Sequence, residues 1–572
     1  MIPTTSASQI EDPVGSSTPK RQKIGIEASF SKILEFGSGG SKHKQITDAI
    51  AELIYRDNLP FSVVEGEGFG KLIKLLAPLY KIPCRKTITS IIDGKYEEKK
   101  AIIIKKLQSV TNICLTIDEW KDLQMKSYLG VTIHFIKNFK IVSFNIACEP
   151  LSESHTAEYL STTIKNICEK WEIPDEKIVA VTTDNGANIV KAIELAFGRA
   201  KHIRCIAHTL NLVVQNSVMV NEIKIFIDKV HQLRNSQKAE NVPEGKIKHL
   251  VGDVSTRWNS QLHMLERFIA MSGTVGGILL NYPNAPPMIQ ASEIAVLKEV
   301  VKILKPFEKV SEEMCTEKYV TASKAIPIIM CLKQFLEKID PSHDLAIQLK
   351  NSIINEFKKR FEHIQKVHLF NTATFLDPRF KKLHLDDGAS LARTMNYIKR
   401  SIEENREPED CPPSITSAAD DVDNDDIWGT HNKLLLETMR TSRSHIQTSE
   451  LRLYIAAPLI GLKENALESW KSYEGAYPKL THLACKHLLV PASSAPAERL
   501  FSKAGAILRR VQTCIICPIR SPYPYLRIVS SPVLSFGRLR FAPYPYLHNS
   551  HDRVSNCPVQ FLLSIKHVVA VG

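Results

Sequence analysis

The chain has 572 residues, 44% of them hydrophobic, with 74 lysines and arginines against 61 aspartates and glutamates, a formal charge of +13. That size and apolar content suffice for two or more cored domains, and the basic excess favours a polyanionic partner, nucleic acid first. No stretch is apolar and long enough to span a bilayer, no signal-peptide core opens the chain, and 12 cysteines lack a disulfide-like framework, so an intracellular, non-membrane protein is expected.

Residues 1–40 are rich in Ser, Thr, Pro and Gly and are expected to be disordered. Within them, Lys20-Arg21-Gln22-Lys23 reads either as a nuclear-import signal or as a solvated charge run. Residues 41–110 carry amphipathic helical faces: Ile46, Ile50, Leu53 and Ile54 share one, and Phe61–Tyr80 repeats the character after Asn58-Leu59-Pro60.

Residues 113–118 form a short apolar run ending in Asp118, and Tyr128–Ile136 and Lys140–Cys148 are two more β-rich runs, close enough for an antiparallel meander. A helix is predicted over Ser154–Trp171, with Tyr159, Leu160, Ile164 and Ile167 at helical spacing and Ser154 as its cap. Lys177–Thr183 is a fourth strand, and Asp184-Asn-Gly-Ala-Asn turns from its carboxyl end into another helix. Both aspartates are therefore expected at strand ends, where ligands of open α/β sheets gather. Three strands, a helix, a strand and a helix, with acids on the first and fourth strands, is how an RNase H-like sheet begins. A third acid, Glu498, lies in Ser-Ser-Ala-Pro-Ala-Glu-Arg, where Ser494 and Pro496 mark a helix start. Three carboxylates from separate segments are a donor set for two divalent cations in phosphodiester chemistry, although an acid at a strand end taken alone is more often a turn or cap residue.

Further segments repeat the helical period at Ile294–Glu313, Ala322–Ile339 and Ala346–Phe361, then at 451–462, 466–470 and 480–489. Between them, 403–426 is acidic and proline-bearing and is expected to be a mobile loop. Ser-Pro-Tyr-Pro-Tyr-Leu at 521–526 returns as Ala-Pro-Tyr-Pro-Tyr-Leu at 542–547, a proline density that forbids a helix.

Seven stretches then carry a family resemblance. They are Asp118-Glu-Trp followed by Ser127-Tyr-Leu-Gly-Val-Thr-Ile-His-Phe, Thr182-Thr-Asp-Asn-Gly-Ala-Asn-Ile-Val-Lys-Ala, Arg204-Cys-Ile-Ala-His-Thr-Leu-Asn-Leu, Ser255-Thr-Arg-Trp-Asn-Ser, Ala373-Thr-Phe-Leu-Asp-Pro-Arg-Phe-Lys, and Pro491-Ala-Ser-Ser-Ala-Pro-Ala-Glu-Arg-Leu-Phe-Ser-Lys-Ala-Gly. In these motifs the chain resembles the hAT transposases and the zinc finger BED proteins derived from them. The resemblance implies an α/β fold: an RNase H-like catalytic core interrupted by a large all-α insertion, with an N-terminal helical domain. Its implied layout is a helical domain at 41–110, the first part of the core at 111–258, the insertion at 259–435, a C-terminal dimerisation region completing the core at 436–510, and an atypical tail at 511–572. It further implies that Asp118, Asp184 and Glu498 hold Mg, or Mn, for catalysis, and that Trp258 with Arg257 binds DNA by stacking on a flipped base. Cys205 and His208 match a Cys-x-x-His segment beside the active site. DNA, a homodimer or higher homo-oligomer, and the nucleus follow as partner, assembly and location.

Plainer roles stand beside these. Cys205 and His208 fall in an apolar helical pattern where packing serves as well as zinc, two ligands make no tetrahedral site, and Trp258 fits a core as readily as a base stack. The chain also departs from the family. No zinc-finger pattern precedes Asp118, and Cys514 to Cys517 has only the distant, closely spaced His548 and His551, so zinc is not expected. After Leu508-Arg-Arg-Val the proline-rich tail replaces the family's basic, leucine-rich helix. These departures favour a DNA-associating, dimerising descendant of the enzyme, with an active transposase or a decayed element as the alternatives.

Overall fold

One strand of a mixed sheet carries the first acid, and the strand beside it ends one residue before the second. A computed structural model of the protein describes residues 26–122, 125–218, 225, 228–230, 232, 258–279, 287–316, 319–404, 450–499 and 501. Lys20–Lys23, Arg257, the expected acidic loop beyond Glu404 and the tail at 511–572 lie outside the described residues.

The strands are β1 (Ile113–Lys121), β2 (Ser127–Lys137), β3 (Lys140–Leu151), β4 (Ile178–Thr183) and β5 (His202–Arg204), in the order β3-β2-β1-β4-β5. The first three form the expected antiparallel meander, and β4 and β5 add on in parallel. The β2–β3 reversal uses Asn138 and Phe139, both at positive φ (50° and 56°), the two-residue geometry whose twist suits a hairpin. The short β5 was not legible in the sequence, because three residues carry no periodicity.

Parallel strands need crossovers, and helices supply them: α5 (Ala157–Lys170) links β3 to β4, and α6 (Ala187–Phe197) links β4 to β5. They follow α1 (Ile26–Phe36), α2 (Ser41–Arg56), α3 (Glu67–Leu76) and α4 (Arg85–Gln108). Helix α5 begins three residues later than expected, so its cap is Thr156 and not Ser154; the Thr156 hydroxyl accepts from the Tyr159 amide at 3.2 Å. A cap must directly precede the first helical residue to reach the free amides. On β1, Ile113, Leu115 and Ile117 pack into a core shared with Leu160 and Ile164 of α5 and Ile189 and Ile193 of α6. Cys114 of β1 and Ala180 of β4 belong instead to a second core on the opposite face, built with helices from later in the chain. Burial on both faces explains why β1 is a continuous apolar run and not an alternating one.

Those later helices are α7 (Ile206–Val218), α8 (Trp258–Leu279), α9 (Ala291–Met314), α10 (Ala322–Lys338), α11 (Asp344–Phe361), α12 (His368–Phe375), α13 (Gly388–Glu404), α14 (450–456), α15 (Ala466–Tyr473), α16 (Pro478–Leu488) and α17 (495–499). Among the described residues no strand occurs after β5, and none of the described helices is long and apolar enough to cross a membrane. The three expected segments in 294–361 coincide with α9, α10 and α11 to within a few residues.

The chain divides into two units, Met1–Gly94 and Lys95–Gly572. In the first, Ile50, Ala51 and Ile54 of α2 are buried together with Phe61, Val64 and Tyr80, and the Tyr80 phenol shares a 2.8 Å hydrogen bond with Thr47. Helix α1 occupies part of the stretch expected to lack structure; Ile33 and Leu34 follow Phe30 at helical spacing and are exposed.

Candidate functional site: an acid cluster at one end of the sheet

The register brings the two aspartates side by side. Thr116 of β1 pairs with Thr182 of β4, the last rung of that parallel ladder, and Asp118 and Asp184 each lie two residues further on. Because side chains alternate along a strand, Asp118 projects from the face that carries Thr116, while Asp184 follows directly on the end of the neighbouring strand. Asp118 is not at the strand end, as expected from the apolar run, but inside β1, which continues to Lys121 because Glu119, Trp120 and Lys121 still pair with Leu129, Tyr128 and Ser127. Opposite Asp118 on β2 stands Gly130, so no side chain crowds the carboxylate from that strand.

Asp184 sits in the turn that opens α6. Its Oδ1 accepts the Gly186 amide at 3.0 Å, and a Cβ at Gly186 would stand 3.2 Å from that oxygen. Glycine at 186 therefore leaves the carboxylate room while fixing its orientation. Asn185 reaches the other way, donating to the Thr209 hydroxyl at 3.0 Å.

Glu498 arrives from the far end of the chain on a strap at 489–495 that is laced across the sheet face by named bonds. Thr182 Oγ1 donates to the Pro491 carbonyl at 2.7 Å, the Ile206 amide to the Ala492 carbonyl at 2.8 Å, and the Ala492 amide to Thr321 Oγ1 at 2.9 Å. The Ser494 amide donates to Cys205 Sγ at 3.3 Å, and α17 starts immediately after it. One turn beyond Glu498, the Phe501 ring stacks on Trp120 of β1, with centroids 5.6 Å apart and planes 14° from parallel.

The electrostatics follow from this convergence. Burial first, then the Glu498 and Asp184 carboxylates, push the Asp118 carboxyl well above the usual range, against a single hydrogen bond from the Glu119 amide. Burial also raises Glu119, opposed by His155, whose Nδ1 lies 2.8 Å from Glu119 Oε2; Asp184 adds to the rise. His202, bonded to Thr183 Oγ1 at 3.0 Å, is driven to about 4 by burial and Arg204.

Three carboxylates offer hard oxygen donors only, the set that Mg or Mn takes. A divalent cation would relieve the repulsion concentrated on Asp118. As placed, no three His, Cys, Asp or Glu side chains among the described residues are grouped tightly enough to hold an ion, so the acids meet electrostatically without sharing one coordination sphere.

The remaining candidates have packing roles here. Cys205 lies just before α7 and not within the helix as expected; it is fully buried, and its sulfur accepts the His208 and Ser494 amides, both at 3.3 Å. Burial raises its thiol, which suits a neutral hydrogen-bonding sulfur fastening the strap and not a metal thiolate. His208 occupies the first turn of α7. Trp258 opens α8 almost completely buried, edge-on to Phe307 at 6.4 Å, so its ring offers no free face for a base. The strap and the Trp120–Phe501 stack escaped sequence reasoning because their partners lie more than 170 residues apart; the only signal was that most of these residues fall in motif stretches.

Known proteins resemble the chain in two segments and along most of its length. Residues 450–516 match the hAT family C-terminal dimerisation region, and residues 203–303 match the ZBED1 RNase-like helical domain. The chain is 26% identical over 505 residues to Zinc finger BED domain-containing protein 4 of Homo sapiens, covering 80% of this chain and 41% of that protein. It is 23% identical over 528 residues to Zinc finger BED domain-containing protein 6 of Homo sapiens (81% of this chain, 53% of that protein). With the Transposable element Hobo transposase of Drosophila melanogaster it shares 24% identity over 526 residues (80% and 78%). The chain thus spans about half the length of these two human relatives. A mixed α/β protein with a helical C-terminal dimerisation region defines a transposase-derived class. Within it, the matches support a hAT-family, transposase-derived protein.

Proposed function

We propose that the protein associates with DNA and dimerises through its C-terminal region, and that Asp118, Asp184 and Glu498 are the divalent-cation site of an RNase H-like core inherited from a DNA-cutting enzyme. The observation that carries this reading is the convergence of three acids from β1, the β4–α6 turn and α17, with the Asp118 carboxyl raised by burial and then by the other two. The sheet order β3-β2-β1-β4-β5, with a meander followed by two parallel strands, supports the RNase H-like assignment. The match to a dimerisation region supports self-association, and the basic charge of the chain supports a polyanionic partner working in the nucleus.

Asp118, Asp184 and Glu498 would hold Mg or Mn, which when bound supplies the charge that activates a water or 3′-hydroxyl and stabilises a leaving oxygen. The chain's own contribution is placement. Gly186 keeps the Asp184 carboxylate uncrowded, β1 presents Asp118 beside it, and the strap brings the third acid to the same end of the sheet.

The converging acids also favour a second reading, retained strand cleavage. Magnesium- and manganese-dependent nicking of supercoiled plasmid by the full chain, beside Asp184→Ala and Glu498→Gln, with mass by light scattering on the same samples, separates the two. Cleavage lost in both variants establishes a nuclease. A folded dimer that retards plasmid without cutting it establishes the DNA-associating protein alone, and a monomer that ignores DNA rejects both.

A further inference from the structure

Resting on the reading of the acids as a cation site, we infer that Trp120 is a positioning residue: its stack with Phe501 sets Glu498 against Asp118. Trp120 follows Asp118 by two residues on β1, so the two side chains share a face of the sheet. Phe501 follows Glu498 by three residues, so these two share a face of the closing helix. The ring pair therefore aligns one strand face with one helix face, and the acids sit at the neighbouring position on each. Trp120 is itself held from the other side by Tyr128, its cross-strand partner, at 5.5 Å between centroids, and the Tyr128 hydroxyl reaches Asp122 at 3.4 Å. Phe501 is almost fully buried.

Two anchors bracket Glu498. On its N-terminal side the Ser494 amide is fixed by Cys205 Sγ, and on its C-terminal side Phe501 is fixed by Trp120. Between them the backbone has about two helical turns, enough to rotate the carboxylate away from Asp118 if either anchor is lost. Asp184, by contrast, is oriented by its own turn through the Gly186 amide and needs neither anchor. The latch thus acts on one acid of the three. Glu498 and Phe501 also both lie in the segment that matches the dimerisation region, which ties completion of the acid cluster to the docking of that region on the sheet.

A residue that only fills the core would weaken everything near it; a latch acts through Glu498. The test uses the full chain with Trp120→Ala, Trp120→Phe, Phe501→Ala and Glu498→Gln, read by amide hydrogen exchange and by calorimetric titration with Mn²⁺ alone. Trp120→Ala and Phe501→Ala are expected to deprotect the amides of 494–501 while those of β4 and α5 keep their protection, and Trp120→Phe is expected to restore it. Mn²⁺ affinity should fall about tenfold in Trp120→Ala, the scale of losing a residue that orients a metal ligand. Added to Glu498→Gln, Trp120→Ala should cost nothing more. Unchanged exchange at 494–501, or an equal Mn²⁺ loss in both backgrounds, overturns the latch. Absence of Mn²⁺ binding by the unmodified chain overturns the cation-site reading instead, and the exchange result still decides the latch.

Discussion

Asp118 and Asp377 are aspartates of the same unit, each placed just after an apolar run, and their surroundings are opposite. Asp377, in the turn after α12, is completely buried and surrounded by donors: Arg379 gives its amide and Nε to one carboxylate oxygen at 3.0 and 2.9 Å, while Arg379 Nη2 and Ser323 Oγ give the other two bonds at 2.6 Å each. Nearby, Lys381 donates to the carbonyls of Tyr454 and Ala457, and the Tyr454 hydroxyl to the Phe375 carbonyl, fastening α14 to this turn. Asp118 is half-buried and faces two other carboxylates with one amide in support. Acids whose demand is met by the protein build structure; an acid whose demand is left open waits for something the protein does not contain.

Substitutions can break that contrast. The largest effect belongs to Asp377→Ala, which strands the buried Arg379 guanidinium and should cost about 3–5 kcal/mol in urea unfolding. A loss under about 1 kcal/mol would mean that Arg379 finds other acceptors and that the turn is no fastening. Thr182→Val, which keeps the shape but deletes the bond to the Pro491 carbonyl, should cost about 1 kcal/mol and raise exchange in the strap.

Asp118→Asn should run the other way. Because the folded state holds this carboxyl above its unfolded value, the native protein binds more protons than the unfolded chain from about pH 4 up to the raised pKa, and stability falls as pH rises through that window. The asparagine variant should therefore match the parent near pH 4 and unfold at higher urea above it. If the parent is the more stable at pH 8, Asp118 is engaged by donors as Asp377 is, and the contrast fails.

Much of the sheet was legible in the sequence because its physics is local. Apolar β-branched runs bounded by polar turns mark β1 to β4, and spacing of three and four marks α5, α9, α10 and α11. The helix cap was displaced by two residues because Ser154 and Thr156 are chemically alike and only the true start at Ala157 separates them. The acids were legible as motifs, but nothing in the sequence shows that a strap bound by Thr182, Ile206, Thr321 and Cys205 brings Glu498 to the sheet. Trp258 shows the converse limit: its motif setting points to a DNA role, whereas its surroundings give it a core position against Phe307.

The central claim is that the open demand on Asp118 is for a divalent cation. Calorimetric titration of the full chain with Mn²⁺ at neutral pH, beside Asp184→Ala and Glu498→Gln, tests it most directly. Saturable binding by the parent that weakens at least about tenfold in both variants is the predicted result. Equal binding in all three proteins, or none in the parent, would contradict it.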